Sequence, residues 1–308
     1  MQNQLPEGLL QLIDDSAVTD ICLTPGLTQV DKGNGLVVDD SLSLNEDQLS
    51  KLSKDLIELG GRRLDQANPF ADVSLPGGIR VHAVLKSGCS EASLISIRLH
   101  SRALTNLEAL LSGLATPSQA ELIQEIATSG ESFLITGPTG TGKTTLLRSM
   151  LAERAERVIA VEDVTELQGA NIICLQSRPK NIEGQGEITL EALVRQALRM
   201  RPDRICIGEV RGEELLVMLQ ALNTGHRGAT TLHANSLEQV PERLLSIASA
   251  LGMPDQTLAK LAASAFDWVI ALSSSQGKRR VSGIGKFQLV DGQLVVFPSL
   301  RTRKLQLA

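Results

Sequence analysis

The residues best equipped for chemistry lie in one nine-residue stretch, GPTGTGKTT at 137–145. Gly137, Gly142, Lys143 and Thr144 satisfy the spacing G-x-x-x-x-G-K-[ST], with Pro138, Thr139, Gly140, Thr141 and Thr145 completing the loop. Glycines at these places let the backbone turn several N–H groups inward around an anion, and a helix opening at Lys143 adds the positive end of its dipole. The anion suited to this cradle is a phosphate chain. Lys143 would reach the β- and γ-phosphates, and Thr144 would offer its hydroxyl to Mg²⁺. The stretch therefore predicts ATP and Mg²⁺ as ligands.

A second stretch, RICIGEVRGEE at 204–214, runs three apolar residues into Gly208, Glu209 and Arg211. Burying an unpaired carboxylate costs several kcal/mol, roughly 2–7 even for a neutral polar group, so Glu209 needs an electropositive partner. In an open parallel sheet, ligands bind beyond the carboxyl ends of the strands, which would aim Glu209 at a metal–phosphate group or at an attacking water. Gly208 would keep the approach clear. The aspartate that usually ends this strand in phosphate-loop proteins is missing, because Asp203 stands at the other end. Glu209 is thus read as a general base, or as acting through a metal-bound water. The plain alternative is a salt bridge from Glu209 to Arg211 or Arg204.

These residues must be held by strand ends. SFLIT (132–136) precedes the glycine loop as a strand, and a helix follows from Lys143. VIAVE (158–162), RICIG (204–208) and GATTLH (228–233) read as further strands, separated by helical patterns such as 189–200 with Thr189 as N-cap. Ser236 and Gln239 have capping-box spacing ahead of another helix. Strand–helix alternation predicts an α/β domain with a largely parallel sheet covered by helices. Residues 1–100 have a different pattern: a short amphipathic helix, a hairpin within 28–38, a helix over 44–59, and strands at 79–85 and 93–100. They predict a smaller α+β domain. Residues 101–112 are taken as a linker and 113–308 as the second domain.

The chain has 308 residues, too many for one ordinary core. It has no tyrosine and one tryptophan, so its cores must be aliphatic. A net charge of −5 argues against broad nucleic-acid binding. Arg195, Arg199, Arg201 and Arg204 give 189–204 a basic face, but no aromatic is interleaved to stack bases, so a protein interface is the better reading. Cys22, Cys89, Cys174 and Cys206 show no metal-type spacing and read as small hydrophobes. No run of about 18 apolar residues suggests a membrane span, and the N-terminal residues lack the basic and apolar regions of a signal peptide.

Taken together, GPTGTGKTT, AVEDVTEL (160–167), ICIGEVRGEE and NTGHRGATTLHAN (223–235) resemble the secretion ATPase superfamily that powers type II secretion, type IV pili and type IV secretion. RRLDQANPFADVSLPGGIRVHAVL (62–85) and SRPKNIEGQGEITLEALVRQALRMRPDR (177–204) are most similar to Tad/Flp pilus assembly ATPases of the CpaF type. The resemblance implies a RecA-like P-loop NTPase domain preceded by a PAS-like α+β domain. It also implies a homo-hexameric ring, cytoplasmic and docked on an inner-membrane platform protein, so that membrane association is peripheral. It makes Glu162, Asp163 and Glu166 an acidic box, with Glu162 the candidate for the metal alongside Thr144. His226 and His233 fall in the matching histidine box, where a neutral imidazole near the γ-phosphate could sense it. Arg80 and Arg98 match arginines that would reach the nucleotide from the N-terminal domain, a role suited to permanently charged, bidentate guanidinium groups.

The function expected from these residues is Mg²⁺-dependent ATP hydrolysis driving assembly of a Tad/Flp-type pilus or a related secretion system. Two alternatives remain: a conjugative or type IV secretion ATPase that moves DNA–protein cargo, and a nucleotide-gated scaffold with little turnover.

Overall fold

The computed structural model describes residues 5–33, 35–99, 106–180, 185–275 and 278–299. They form two compact units, one from residues 5–99 with Gln185 and the other from 106–180 and 186–299.

The first unit is α+β. Its elements are α1 (Glu7–Asp14), β1 (Asp20–Thr24), β2 (Leu27–Asp31), β3 (Leu36–Val38), α2 (Glu46–Leu59), β4 (Phe70–Leu75), β5 (Ile79–Val84) and β6 (Leu94–Arg98). The strands make a six-stranded sheet in the order β3-β2-β1-β6-β5-β4, and every neighbouring pair is antiparallel. Helix α2 starts where it does because Asn45 and Gln48 form a reciprocal capping box. It ends at Gly60, where a Cβ would lie 2.3 Å from the Cβ of Val73. Alternating strand residues such as Ile21, Val30, Val81, Ala83 and Ile97 join Leu49, Leu52, Leu56 and Ile57 of α2 and Leu9 of α1 in one aliphatic core. Each such fully buried Val, Leu or Ile side chain contributes about 1.5–3 kcal/mol. The alternation that buries Val81 and Ile97 puts Arg80 and Arg98 on the opposite face.

The second unit carries α3 (Leu107–Leu114), α4 (Pro117–Ser129), β7 (Phe133–Thr136), α5 (Lys143–Ala152), β8 (Val158–Glu162), β9 (Ile172–Gln176), α6 (Leu190–Ala197), β10 (Arg204–Ile207), α7 (Glu214–Asn223), β11 (Arg227–Leu232), α8 (Val240–Ala250), α9 (Asp255–Ala265), β12 (Trp268–Ser275), β13 (Lys278–Val290) and β14 (Gln293–Pro298). Its sheet has the order β14-β13-β12-β7-β11-β10-β8-β9. From β12 to β9 all pairs are parallel; β13 and β14 extend the edge as an antiparallel hairpin. The sheet is therefore largely parallel and covered on both faces. Leu134, Ile159, Val161, Ile207 and Leu232 pack with α6 to α9, whereas Phe133, Ile135, Ala160, Cys206 and Ala229 pack with α3 to α5. Covered on both sides, β7, β8 and β10 are buried at every residue, which is why they read as continuous apolar runs rather than as alternating ones.

Three expectations need correction. Residues 106–112 of the expected linker are not a connector: α3 begins at Leu107, and Leu107 and Leu111 are buried in the second unit's core. Residues 101–105 lie outside the described residues. The Ser236–Gln239 capping box does not form, because α8 starts at Val240 with no side-chain cap and the Gln239 side chain accepts from Asn235 N instead. Arg204 does not belong to a basic surface face. It is 2% exposed, donates to Glu156 at 2.8 Å and to the carbonyls of Glu131 and Gly228, and lies over the Phe133 ring. Among the described residues no helix is long and apolar enough to cross a membrane.

Candidate active site

The loop between β7 and α5 has the backbone that its glycines predict. Gly137, Gly140 and Gly142 have φ of 151°, 78° and 91°, values that side-chain-bearing residues seldom adopt. At Gly137 space is limiting as well: a Cβ would stand 2.6 Å from the carbonyl oxygen of Leu272 and 2.9 Å from Thr141 Oγ1. Thr141 closes the loop by donating to the Pro138 carbonyl at 2.8 Å. No side chain caps α5, so its first N–H groups are left for a ligand or solvent. Thr144 and Thr145 sit in that first turn, half-buried, while Thr139 and Gly140 form the exposed tip.

Lys143 is buried and donates from Nζ to the carbonyls of Gly137 (2.9 Å) and Pro138 (3.1 Å). Its third contact is His233 Nδ1 at 3.3 Å. Across the imidazole, His233 Nε2 lies 3.1 Å from Glu209 Oε1. Glu209 in turn receives two hydrogen bonds from Arg211, Nε to Oε1 at 2.7 Å and Nη2 to Oε2 at 2.9 Å. Arg211 Nη1 is 3.7 Å from Asp163 Oδ2, and Asp163 Oδ1 accepts from Ser177 Oγ at 2.8 Å. These residues follow β7, β11, β10, β8 and β9, the order in which those strands stand in the sheet. A single line of polar side chains thus crosses the carboxyl ends of five parallel strands, where a ligand of an open α/β sheet binds.

Beside this line, Glu162 ends β8 and is 4% exposed. Its Oε2 accepts from the N–H groups of Glu166 (3.1 Å) and Leu167 (3.0 Å), fixing the turn after the strand. Gly208 explains itself here: a Cβ on it would meet Glu162 Cγ at 2.8 Å and Oε1 at 2.9 Å. The bulk removed before Glu209 therefore makes room for the neighbouring strand's carboxylate. The half-buried Glu166 follows in the same turn.

The electrostatics follow from these contacts. Burial raises the Glu209 carboxyl, but the Arg211 hydrogen bonds and the charges of Arg211, His233 and Lys143 outweigh it and hold the group below the ordinary glutamate value. Burial pulls the Lys143 ammonium down, against the attraction of Glu209. His233 is lowered by burial and then by Lys143, against Glu209. A neutral imidazole that accepts from Lys143 at Nδ1 and donates from Nε2–H to Glu209 satisfies both partners.

The structure brings Lys143, His233 and Glu209 together, with Glu162 and Glu166 at the adjoining strand end. His226, expected in the same group, is not there. It precedes the first residue of β11, whereas His233 follows the last, so the two are about 23 Å apart at about 3.3 Å per residue. Its Nδ1 lies 3.2 Å from the carbonyl oxygen of Ala221, in a hollow lined by Arg154, Glu156, Asp203 and Arg227. Two histidines bracketing a strand of even this modest length must lie at opposite edges of the sheet. In the first unit, Arg80 and Arg98 are cross-strand neighbours. Arg98 also faces Asp20, to which its Nε donates at 3.0 Å. Sequence reasoning weighed Arg211 as a salt-bridge partner of Glu209 but missed that it extends to Asp163. It also missed Glu214, whose Oε1 accepts from the N–H groups of Arg211 (2.5 Å) and Gly212 (2.7 Å). The signal was available in the run RGEE, where an acid two or three residues after a turn can reach back to cap its N–H groups.

A glycine-lined loop between strand and helix, facing a row of acids at the carboxyl edge of a parallel sheet, defines a P-loop protein of RecA-like fold. This chain belongs to the family described as type II/IV secretion system protein, whose family model matches residues 42–275. A putative conjugal transfer protein of Mycobacterium tuberculosis is 38% identical over 302 residues, covering 93% of this chain and 86% of the relative. The type IV secretion system protein PtlH of Bordetella pertussis is 30% identical over 298 residues, covering 85% of this chain and 88% of PtlH. Among solved structures, the pilus retraction motor PilT with bound ADP matches at a TM-score of 0.63 and 20% identity, over 98% of this chain and 88% of PilT. That last likeness is one of fold.

Proposed function

We propose that this protein is a Mg²⁺-dependent ATPase, working as a ring of copies, that powers assembly of a Tad/Flp-type pilus or a related secretion system from the cytoplasmic face of the inner membrane. The observation that carries the reading is the contact chain Lys143–His233–Glu209 beside a phosphate-type loop. The loop's N–H groups and Lys143 would hold the phosphates, with Lys143 exchanging the Gly137 and Pro138 carbonyls for phosphate oxygens. Glu209 would take one proton from water as the water oxygen attacks the γ-phosphorus and the β–γ bridging oxygen leaves with ADP. His233 would orient the Glu209 carboxylate and register the γ-phosphate through Lys143.

The residues present fit Mg²⁺. Thr144 offers a hydroxyl in the first turn of α5, and Glu162 ends β8 with Oε1 close to Gly208. Bound there, Mg²⁺ would neutralise charge on the β- and γ-phosphates, and Thr144 and Glu162 would hold it. The resemblance gives Arg80 and Arg98 the task of reaching the nucleotide from the first unit. Docking on a platform protein is proposed on the same ground.

The test of hydrolysis is phosphate release by the purified chain. Glu209→Gln should lower kcat by about 10²–10⁴ while nucleotide affinity is kept; an unchanged rate would refute Glu209 as the base. A second reading, movement of DNA–protein cargo in conjugation, is favoured by the name of one relative, the putative conjugal transfer protein. Deleting the gene separates the two: loss of surface filaments supports the pilus reading, and loss of DNA transfer with filaments intact supports the other.

A further inference from the structure

Resting on the hydrolytic reading of Glu209, we propose that Arg211 is a positioning residue that holds the base in check and that Asp163 is the acid to which it is released. Both oxygens of Glu209 accept from the Arg211 guanidinium, and Oε1 also faces His233. Held bidentately by the guanidinium, Glu209 keeps one lone-pair site on Oε2 for a water, and opening one of the arginine's bonds would make it a stronger base and easier to reach. The backbone on either side of Glu209 is tied down. Gly208 N donates to Val161 O, and Gly208 O accepts from Thr231 Oγ1. Val210 N donates to Thr231 O, and the N–H groups of Arg211 and Gly212 are both taken by Glu214 Oε1. The side chains are less confined, and that of Arg211 is 55% exposed against 22% for Glu209.

The place for it to go is already built. Asp163 Oδ2 is 3.7 Å from Arg211 Nη1, with a side chain 45% exposed, and Ser177 Oγ steadies its other oxygen at 2.8 Å. A shift of about 1 Å brings Nη1 within ordinary hydrogen-bond distance of Asp163. The arginine thus stands between two acids that follow adjacent strands, β10 and β8. Bidentate pairing to one and a looser contact to the other make it a two-position device. Charge is conserved in the exchange: the guanidinium leaves one carboxylate for another, and Glu209 becomes available at the strand end.

The experiment is a double-mutant cycle on the full chain, measuring kcat and KM for ATP with phosphate release and confirming folding by a thermal melt and by binding of a fluorescent ADP analogue. Asp163→Asn should lower kcat roughly fivefold with KM unchanged, because only a step after binding is impaired. Asp163→Glu, which keeps an acid for Arg211, should retain more than half of the turnover. The decisive comparison is made in an Arg211→Gln background, where Asp163→Asn should have no further effect. Equal losses with and without Arg211 would mean that Asp163 acts by itself and would overturn the proposal, as would a harmless Asp163→Asn. If Asp163→Asn does not fold, Asp163→Ser is read in the same way. A wild-type chain that binds ADP but releases no phosphate would sink the hydrolytic reading itself, an outcome distinct from a hydrolysing wild type that fails the cycle.

Discussion

His233 bridges Lys143 and Glu209, with Nδ1 3.3 Å from the ammonium and Nε2 3.1 Å from the carboxylate. One imidazole therefore reads a cation on the phosphate side and an anion on the water side. The bridge requires the neutral ring, because a protonated His233 has no lone pair to accept from Lys143 and would oppose its charge.

Two consequences can be measured. His233→Ala should lower ATP turnover at least about tenfold, while His226→Ala, at the far end of β11, should stay within about twofold. Equal losses would contradict the separation of the two histidines. The pH dependence has a fixed sign. The folded state holds His233 below its ordinary value of 6.5, so below that pH the unfolded chain binds the proton first, and stability falls as pH decreases from about 6.5 toward the folded value. Glu209, lowered from 4.5, stays ionised throughout that window. Wild type should lose more melting temperature than His233→Ala between pH 7.5 and 5.5.

Gly208→Ala tests the contact between strand ends. The new Cβ would lie 2.8 Å from Glu162 Cγ, and Glu162 is walled in at 4% exposure. Its carboxylate would have to leave the N–H groups of Glu166 and Leu167. Overpacking of this kind costs about 1–3 kcal/mol, so the denaturation midpoint should fall and turnover with it. A variant with unchanged midpoint and full turnover would show that Glu162 can move freely.

Arg80 and Arg98 are opposed across β5 and β6, and Arg98 donates to Asp20. Like charges directly opposite each other in a sheet repel, so removing one of them relieves a repulsion. Arg98→Ala should leave stability within about 0.5 kcal/mol, the range of ordinary surface changes, yet lower kcat for ATP; Arg80→Ala, which removes a side chain whose Nε is buried, should lower kcat as well. Full turnover in both single variants would remove them from the proposed machinery.

Much of the second unit was legible because its chemistry and its geometry use the same residues. Glycines at 137, 140 and 142 signal both the phosphate loop and the positive φ angles found there, and Thr189 caps α6 as its spacing predicts. What was hidden depends on pairing between distant segments. Nothing local in Arg204 distinguishes a surface arginine from one buried on Glu156, 48 residues away. His226 looked equivalent to His233 because sequence records their proximity along the chain and not the strand that separates them. The edge hairpin β13–β14 alternates buried and exposed residues only weakly, and α3 was obscured by its closeness to the polar stretch before it.

Glu156 gives the sharpest test of stability away from the candidate site. It is 8% exposed and serves three arginines: Arg204 at 2.8 Å, Arg154 at 2.9 Å and Arg227 at 3.4 Å. Removing the one acid strands a guanidinium that is 2% exposed, and breaking a buried pair from one side costs about 3–5 kcal/mol. Arg154 and Arg227 are 33% and 50% exposed, so solvent screens their share and Arg204 dominates the loss. Arg204→Met should cost less, because Glu156 keeps its other two partners and the methionine still packs on Phe133. The expected order in a denaturation series is therefore wild type, then Arg204→Met, then Glu156→Gln as the least stable. The reverse order would mean that the carbonyl contacts of Arg204 to Glu131 and Gly228 outweigh the charge cluster.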